Sequence, residues 1–282
     1  MEMQIRILQA IQEIRSDILT FFFTTITMMA EEIYITLFLA IFYWCIDKVK
    51  AIRISYILLF NSVFNSVIKG IVKMTRPFEL GVVTPIRAET ATGYSFPSGH
   101  TQTATSFWVG SMLVLKTRAI VILGTIMILL TAFSRMYLGV HWPMDVLGGI
   151  VFSLVFTYFA QETLNEKGEM KEWLVIISCI AMLIALCFNL DLAICKSIAS
   201  FWGLCLGCYL EQKYVKFETK ATSKQQVLKV IIGIVGILII YIGMGKLLPQ
   251  VKITKMIKYA SVLLWIIVGA PWIFSKMKRK IV

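Results

Sequence analysis

The chain contains two histidines, and each stands beside residues that would make it reactive. His141 precedes Asp145 by four residues in "HWPMD", one helical turn, so the two side chains share a face. A carboxylate placed there accepts the proton of one imidazole nitrogen. It fixes the tautomer and leaves the other nitrogen as a nucleophile or base. His100 follows the turn Pro97-Ser98-Gly99 and opens an apolar run, Phe107 to Leu115. A helix start offers unpaired N–H groups and a positive dipole end, which suits an anion. Gly99 lets a ligand approach the backbone, while Ser98 also reads as an ordinary N-cap.

Three cations accompany these groups. Lys69 and Arg76 in "KGIVKMTRP" are seven residues apart, two turns, and are expected on one helix face with Lys73 between them. Pro77 is expected to stop that helix, because the residue before a proline disfavours helical geometry. Lys69 alone also reads as a lysine reaching for headgroups, and Lys73 as an auxiliary cation or a solvated neighbour. Arg135 ends a later apolar run in "SRMYLGVHWPMD". No second carboxylate stands ready for a divalent metal, so no metal is expected and the cations must supply its charge. Cations for oxygens, one histidine to attack and one to protonate a leaving group together suit a phosphoryl group.

The elements that must position these residues are membrane helices. The chain is 282 residues long, 58% apolar and only 16% charged. Its apolar residues come in long runs between short charged clusters, which predicts an all-α, polytopic membrane bundle. Spans are expected at about 29–46, 52–72, 100–115, 119–138, 143–160, 173–190, 193–210, 229–248 and 257–274. Glu31 and Glu32 interrupt the first, where they suit a helix start. The formal charge of +12 sits in short Lys/Arg clusters between runs, the pattern of orientation signals and not of nucleic-acid binding. One set of connections, ending in the tail Lys276, Lys278, Arg279 and Lys280, carries more of these residues and is expected to be cytoplasmic. The N-terminus and all the reactive groups then lie on the extracytoplasmic side.

Six cysteines lie in or at the edges of apolar runs without metal-ligand company, so neither a disulfide framework nor zinc is expected. The first 30 residues lack a basic start followed by a small-residue cleavage site, so no removable signal is expected. Ile7, Ile11, Ile14 and Ile18 recur at helical spacing among charges, which predicts an amphipathic helix, either on the membrane surface or packed on the bundle. Gly233, Gly236, Gly243 and Gly245 are expected to permit close helix packing.

The ordered set Lys69, six residues, Arg76-Pro77; Pro97-Ser98-Gly99-His100; Ser134-Arg135, five residues, His141, three residues, Asp145 resembles the tripartite signature of the type 2 phosphatidic acid phosphatase superfamily. The resemblance spans about residues 30 to 190. It implies a six-helix phosphatase core at 29–190, so the amphipathic segment at 1–28 precedes that core and about three additional helices at 191–282 follow it. It also implies that His141 attacks phosphorus with Asp145 orienting it, and that His100 is the general acid and then the base for water. Lys69, Arg76 and Arg135, with Ser98 and the Gly99 backbone, would hold the phosphate oxygens, and no cofactor would be needed. The substrate implied is a lipid phosphate or pyrophosphate, with candidates from carrier-lipid pyrophosphate to phosphatidate, phosphatidylglycerol phosphate and sphingoid-base phosphates.

Other readings fit the same residues. The nine-helix plan is similar to that of glucose-6-phosphatases, which would make the substrate a soluble sugar phosphate. A phosphotransferase passing the group to another acceptor, or a transporter or scaffold built on the same core, is also compatible. Vanadium haloperoxidases share the signature but are soluble. Oligomeric state is not legible in the sequence.

Overall fold

The computed structural model describes residues 1–279; Lys280 of the tail lies outside them. Every regular element among the described residues is helical. Two short helices open the chain, α1 (Glu2–Glu13) and α2 (Asp17–Met29), and helices then occupy all nine expected positions. They are α3 (Glu32–Cys45), α4 (Lys48–Val72), α5 (Gly99–Leu115), α6 (Arg118–Tyr137), α7 (Pro143–Thr163), α8 (Glu172–Cys187), α9 (Leu192–Leu210), α10 (Ser223–Leu247) and the pair α11 (Lys252–Leu264) and α12 (Ala270–Arg279). Six of these helical stretches are long and apolar enough to cross a bilayer, α9 counted with the π-turn that follows it and α11 with α12. α2 and α3 pass the same test only when taken together, and they are bent by 52° at their break. The break falls at Ala30 and Glu31, where two successive acids replace the apolar run.

The chain divides into two compact units. The first comprises Met1–Ile35 and Phe60–Ala160. Within it α5 packs along α6, and α2 lies against α6. The N-terminal helix packs as well: Leu8 is fully buried with Val83 and Trp142, and Ile11 joins Phe23, Tyr137 and Leu138. Ile7, Ile14 and Ile18 face outward instead, so the packed stripe runs through Leu8 and Ile11. Arg15 anchors the segment by donating to the carbonyls of Tyr137 and Thr84.

The second unit comprises Thr36–Leu59 and Gln161–Val282. Its α9 and α11 pack closely, because a Cβ on Gly203 would stand 2.8 Å from the Ala260 carbonyl. Gly233 and Gly236 serve the same purpose under the Trp44 and Trp265 rings, whereas Gly243 and Gly245 face open space. The π-turn Trp265–Gly269 frees carbonyls that Trp44 and Tyr43 cap, at 2.8 and 3.2 Å. A buried Glu211 is paired with Lys48 at 2.9 Å, the arrangement a charge in an apolar bundle requires.

Candidate active site

Four helix ends of the first unit carry the site. α4 brings Lys69 in its last turn, α5 starts at Gly99, α6 carries Arg135 in its last turn, and α7 starts at Pro143. The loops 73–98 and 138–142 join these ends. The expected two-turn stripe from Lys69 to Arg76 does not form. α4 ends at Val72, Lys73 turns into the left-handed region at φ 50, and Arg76 stands in the loop. Pro77 favours an extended residue before it, and the break frees Arg76 to fold back under the loop. Lys73 is exposed.

At the start of α7, Asp145 is completely buried, and its Oδ2 accepts three donors. They are Nδ1 of His141 at 3.1 Å, the backbone N–H of Trp142 at 2.7 Å and the Ser95 hydroxyl. With Nδ1 donating, Nε2 of His141 carries the lone pair, and Nη1 of Arg76 donates to it at 3.2 Å. Burial, followed by the charges of Arg76, Lys69 and Arg135, holds the His141 pKa well below the usual imidazole range. The ring is therefore neutral, with one nitrogen available as a nucleophile.

Arg76 is 2% exposed, and its five N–H donors are all engaged. Four go to the carbonyls of Gly93, Val140, Thr92 and Tyr94, at 2.9 to 3.3 Å, and the fifth to His141. Burial lowers its pKa from the ordinary value, while Asp145 and Glu79 act in the opposite direction. Lys69 donates to Tyr94 and Ser95 carbonyls at 2.5 and 3.2 Å, which leaves one of its three donors. Arg135 is different. It is 1% exposed, its Nη1 donates to Thr27 Oγ1 at 2.7 Å, and Nε and Nη2 have no partner among the described residues. Nε2 of His100 is likewise buried and unpartnered. Orphaned buried polar groups are rare in native folds, and here they belong to two of the residues singled out for an anion.

Ser98 is the N-cap of α5, accepting from the N–H of Thr101, and its own N–H donates to the Asp145 carbonyl at 2.9 Å. The capping reading and the anion reading are thus compatible: the cap orients the helix whose first N–H groups start at Gly99. A Cβ on Gly99 would stand 3.9 Å from Lys69 Cε, so this bare backbone lies beside that cation. Below it, Asn65 donates to Gln102 at 2.8 Å, Gln102 to the Asn61 carbonyl at 3.2 Å, and Asn61 to Thr157 at 3.2 Å. This buried ladder ties α4, α5 and α7 together. The fold thus joins His141, Asp145 and Arg76 by direct hydrogen bonds and Ser98 through the Asp145 carbonyl. Lys69 reaches the same loop. His100 and Arg135 make no hydrogen bond to the His141–Asp145 pair, and their charges act on His141. Among the described residues no three His, Cys, Asp or Glu side chains group as metal ligands.

Residues 50–169 match the PAP2 superfamily, and residues 195–280 match the PAP2 superfamily phosphatase transmembrane extension. The chain belongs to the PAP2 superfamily. Residues of this PAP2 chain are 34% identical over 110 positions to an undecaprenyl-diphosphatase of Sulfolobus acidocaldarius, covering 39% of the chain and 52% of that protein. They are 28% identical over 141 positions to sphingosine-1-phosphate phosphatase 2 of Homo sapiens, covering 46% of the chain and 35% of that protein. The chain thus spans about half the length of the first relative and a third of the second. In fold it is similar to a transmembrane PAP2-type phosphatidylglycerolphosphate phosphatase from Bacillus subtilis, with TM-score 0.50 and 23% identity over 57% of this chain and 84% of that one. Its apolar helices and its family make this PAP2 chain an integral membrane protein.

Sequence reasoning missed several residues of this candidate site. Ser95, in the same "YSFPSGH" stretch, bonds Asp145, and only its closeness to His100 in sequence pointed to it. Trp142 is fully buried and donates to the Thr75 carbonyl at 2.9 Å, locking the loop before α7. Thr27, the partner of Arg135, lies 108 residues away and carries no local signal.

Proposed function

We propose that this chain is an integral membrane phosphatase that hydrolyses a lipid phosphate or pyrophosphate monoester at the extracytoplasmic face through a phosphohistidine. The observation that carries this reading is the polarised His141: Nδ1 on Asp145, Nε2 unprotonated, and three cations around it. The outward face follows from the poorer Lys/Arg content of the connections on that side.

The Nε2 lone pair of His141 attacks phosphorus and forms an N–P bond. The ester P–O bond breaks, and its electron pair leaves on the lipid oxygen, which takes a proton from His100. A phosphate dianion beside His100 favours the protonated ring. Asp145 steadies the positive ring of the intermediate. His100 then removes a proton from water, the water oxygen attacks phosphorus, the N–P bond breaks, and phosphate leaves with His141 neutral again. Arg135 offers its Nε and Nη2 donors to the phosphate oxygens, with the spare donor of Lys69, the Ser98–Gly99 backbone and the one N–H of Arg76 that passes from Nε2 to an oxygen. Positive charge fixed in a buried site stabilises the transition state without reorganisation.

Phosphate release by the purified protein in detergent with EDTA tests this. The substrates are carrier-lipid pyrophosphate, phosphatidate, phosphatidylglycerol phosphate, a sphingoid phosphate and a hexose phosphate. Turnover that survives chelation and vanishes in His141→Ala is the expected result. Preference for the hexose phosphate would replace the lipid reading, and loss on chelation would replace the metal-independent one.

A further inference from the structure

A third guanidinium lies in the loop that carries Arg76 and has no part in the chemistry above. Arg87 sits in the loop between α4 and α5 with φ 58 and ψ 44, a left-handed backbone that is unfavourable for any residue with a side chain. Such a conformation persists where its surroundings impose it, and it clusters at binding sites. Here Ile86 donates its N–H to the Leu138 carbonyl at 2.9 Å, which docks the loop at the end of α6, just beyond Arg135. The Thr90 hydroxyl donates to the Arg87 carbonyl at 2.9 Å and holds the turn.

The side chain is partly buried. Its Nη2 meets Glu31 Oε1 at 3.0 Å, at the break between α2 and α3, and its Nε lies 3.8 Å from the exposed carboxylate of Glu89. Glu31 follows by four residues Thr27, which holds Arg135. One short stretch of chain, from Thr27 to Glu31, therefore steadies two guanidinium groups. Nη1 of Arg87 is buried and without a partner among the described residues, as are Nε and Nη2 of Arg135. The charge of Arg87 acts on both Arg135 and His100. The non-bridging oxygens of one phosphoryl group are already served by Lys69, Arg76, Arg135 and the start of α5. Arg87 adds a buried donor beyond that number.

We propose that Arg87, steadied by Glu31, binds a second phosphoryl group of the substrate, next to the one that His141 attacks. This rests on the phosphatase reading and narrows it to substrates with two phosphoryl groups. The second group is either the inner phosphate of a diphosphate ester or a phosphodiester in a headgroup that ends in a phosphomonoester.

Two matched pairs distinguish these sources: a prenyl diphosphate against the same prenyl monophosphate, and phosphatidylglycerol phosphate against phosphatidate. Each is assayed on the full chain in detergent, with wild type, Arg87→Gln and Arg87→Lys. Arg87→Gln is expected to lower kcat/KM roughly 10–100-fold on the doubly phosphorylated member of one pair, and about tenfold less on its partner. Arg87→Lys keeps the charge without the fork and falls between. The pair that responds identifies the linkage. A second readout needs no turnover of the variant's own substrate: inhibition by inorganic pyrophosphate should weaken in Arg87→Gln more than inhibition by orthophosphate. An equal fall on both members, or none, with an unchanged inhibition ratio, overturns the proposal and leaves Arg87 a tie across the α2–α3 break. Wild type that releases phosphate from none of the four compounds overturns the phosphatase reading itself, and this inference with it.

Discussion

Nδ1 of His141 lies 3.1 Å from Oδ2 of Asp145, and that one oxygen also receives the Trp142 N–H and the Ser95 hydroxyl. The three donors leave the carboxylate a single orientation, and the carboxylate leaves the imidazole a single tautomer. Asp145→Asn retains the shape but loses the charge that steadies a positive ring. It is expected to lower kcat roughly 10²–10⁴-fold with little change in KM. His141→Ala removes the nucleophile. Rapid quenching with a radiolabelled substrate should trap a phosphohistidine in the wild type and none in His141→Ala.

The two buried arginines should separate in their phenotypes. Arg76 spends four donors on loop carbonyls, so Arg76→Lys gives up several buried hydrogen bonds at about 1 kcal/mol each and should lower both melting temperature and activity. Arg135 has two unpartnered nitrogens among the described residues, Nε and Nη2, and Arg135→Lys removes the fork that would hold oxygens. Its melting temperature should stay near wild type while vanadate affinity falls roughly 10–100-fold. Thermal unfolding and vanadate inhibition, measured on both variants, check the contrast.

Much of this site was legible because its chemistry is carried by local spacing. His141 and Asp145 are four residues apart and do meet, although His141 stands in the loop just before α7 and not on its first turn, and Ser98 to His100 are contiguous at the start of α5. Most of the expected spans were legible for the same reason, since a bilayer demands long apolar runs, whereas α5 and α8 form at the expected places but are shorter than the six full-length spans. The stripe from Lys69 to Arg76 failed because periodicity ignores Lys73, whose left-handed backbone ends α4 a turn early. Thr27, Glu31 and Arg87 were not legible. Each meets its partner only through tertiary folding, and Glu31 read equally well as a first-turn acid.

The pH dependence follows from the depressed pKa of His141. The folded ring stays neutral below 6.5, the ordinary value, where an unfolded chain already takes up a proton. The stability contributed by neutral His141 is therefore present above pH 6.5 and is lost as pH falls from there towards the folded value. For catalysis the consequence is opposite in tone: the nucleophile survives mild acid. The limb of kcat/KM that reports His141 in the free enzyme should lie below pH 6.5. It is read from a profile taken over the range in which the protein stays folded by thermal shift. A limb for this group at or above 6.5 would mean that water and not protein surrounds His141.

Gly149 offers the last test, because it sets the distance between the two halves of the chemistry. A Cβ there would stand 2.9 Å from the Ser98 carbonyl and 3.2 Å from Thr101 Cβ. Backbone has to move to admit it, and the movement separates the start of α5 from the start of α7. The Ser98 N–H bond to the Asp145 carbonyl lies in that gap, so His100 shifts relative to His141. Gly149→Ala is expected to cost about 1–3 kcal/mol of stability. It should also lower kcat more than tenfold, since misplacing a proton donor by a fraction of an ångström weakens the transition state more than binding. Gly148→Ala is the control. The three atoms nearest its Cβ would all belong to the Phe96 ring, the first at 2.5 Å, and a side chain on a loop can turn aside. The two alanine variants, compared by phosphate release and thermal unfolding, should therefore rank Gly148→Ala well above Gly149→Ala in activity, and the reverse order would show that α5 and α7 do not set the geometry of the site.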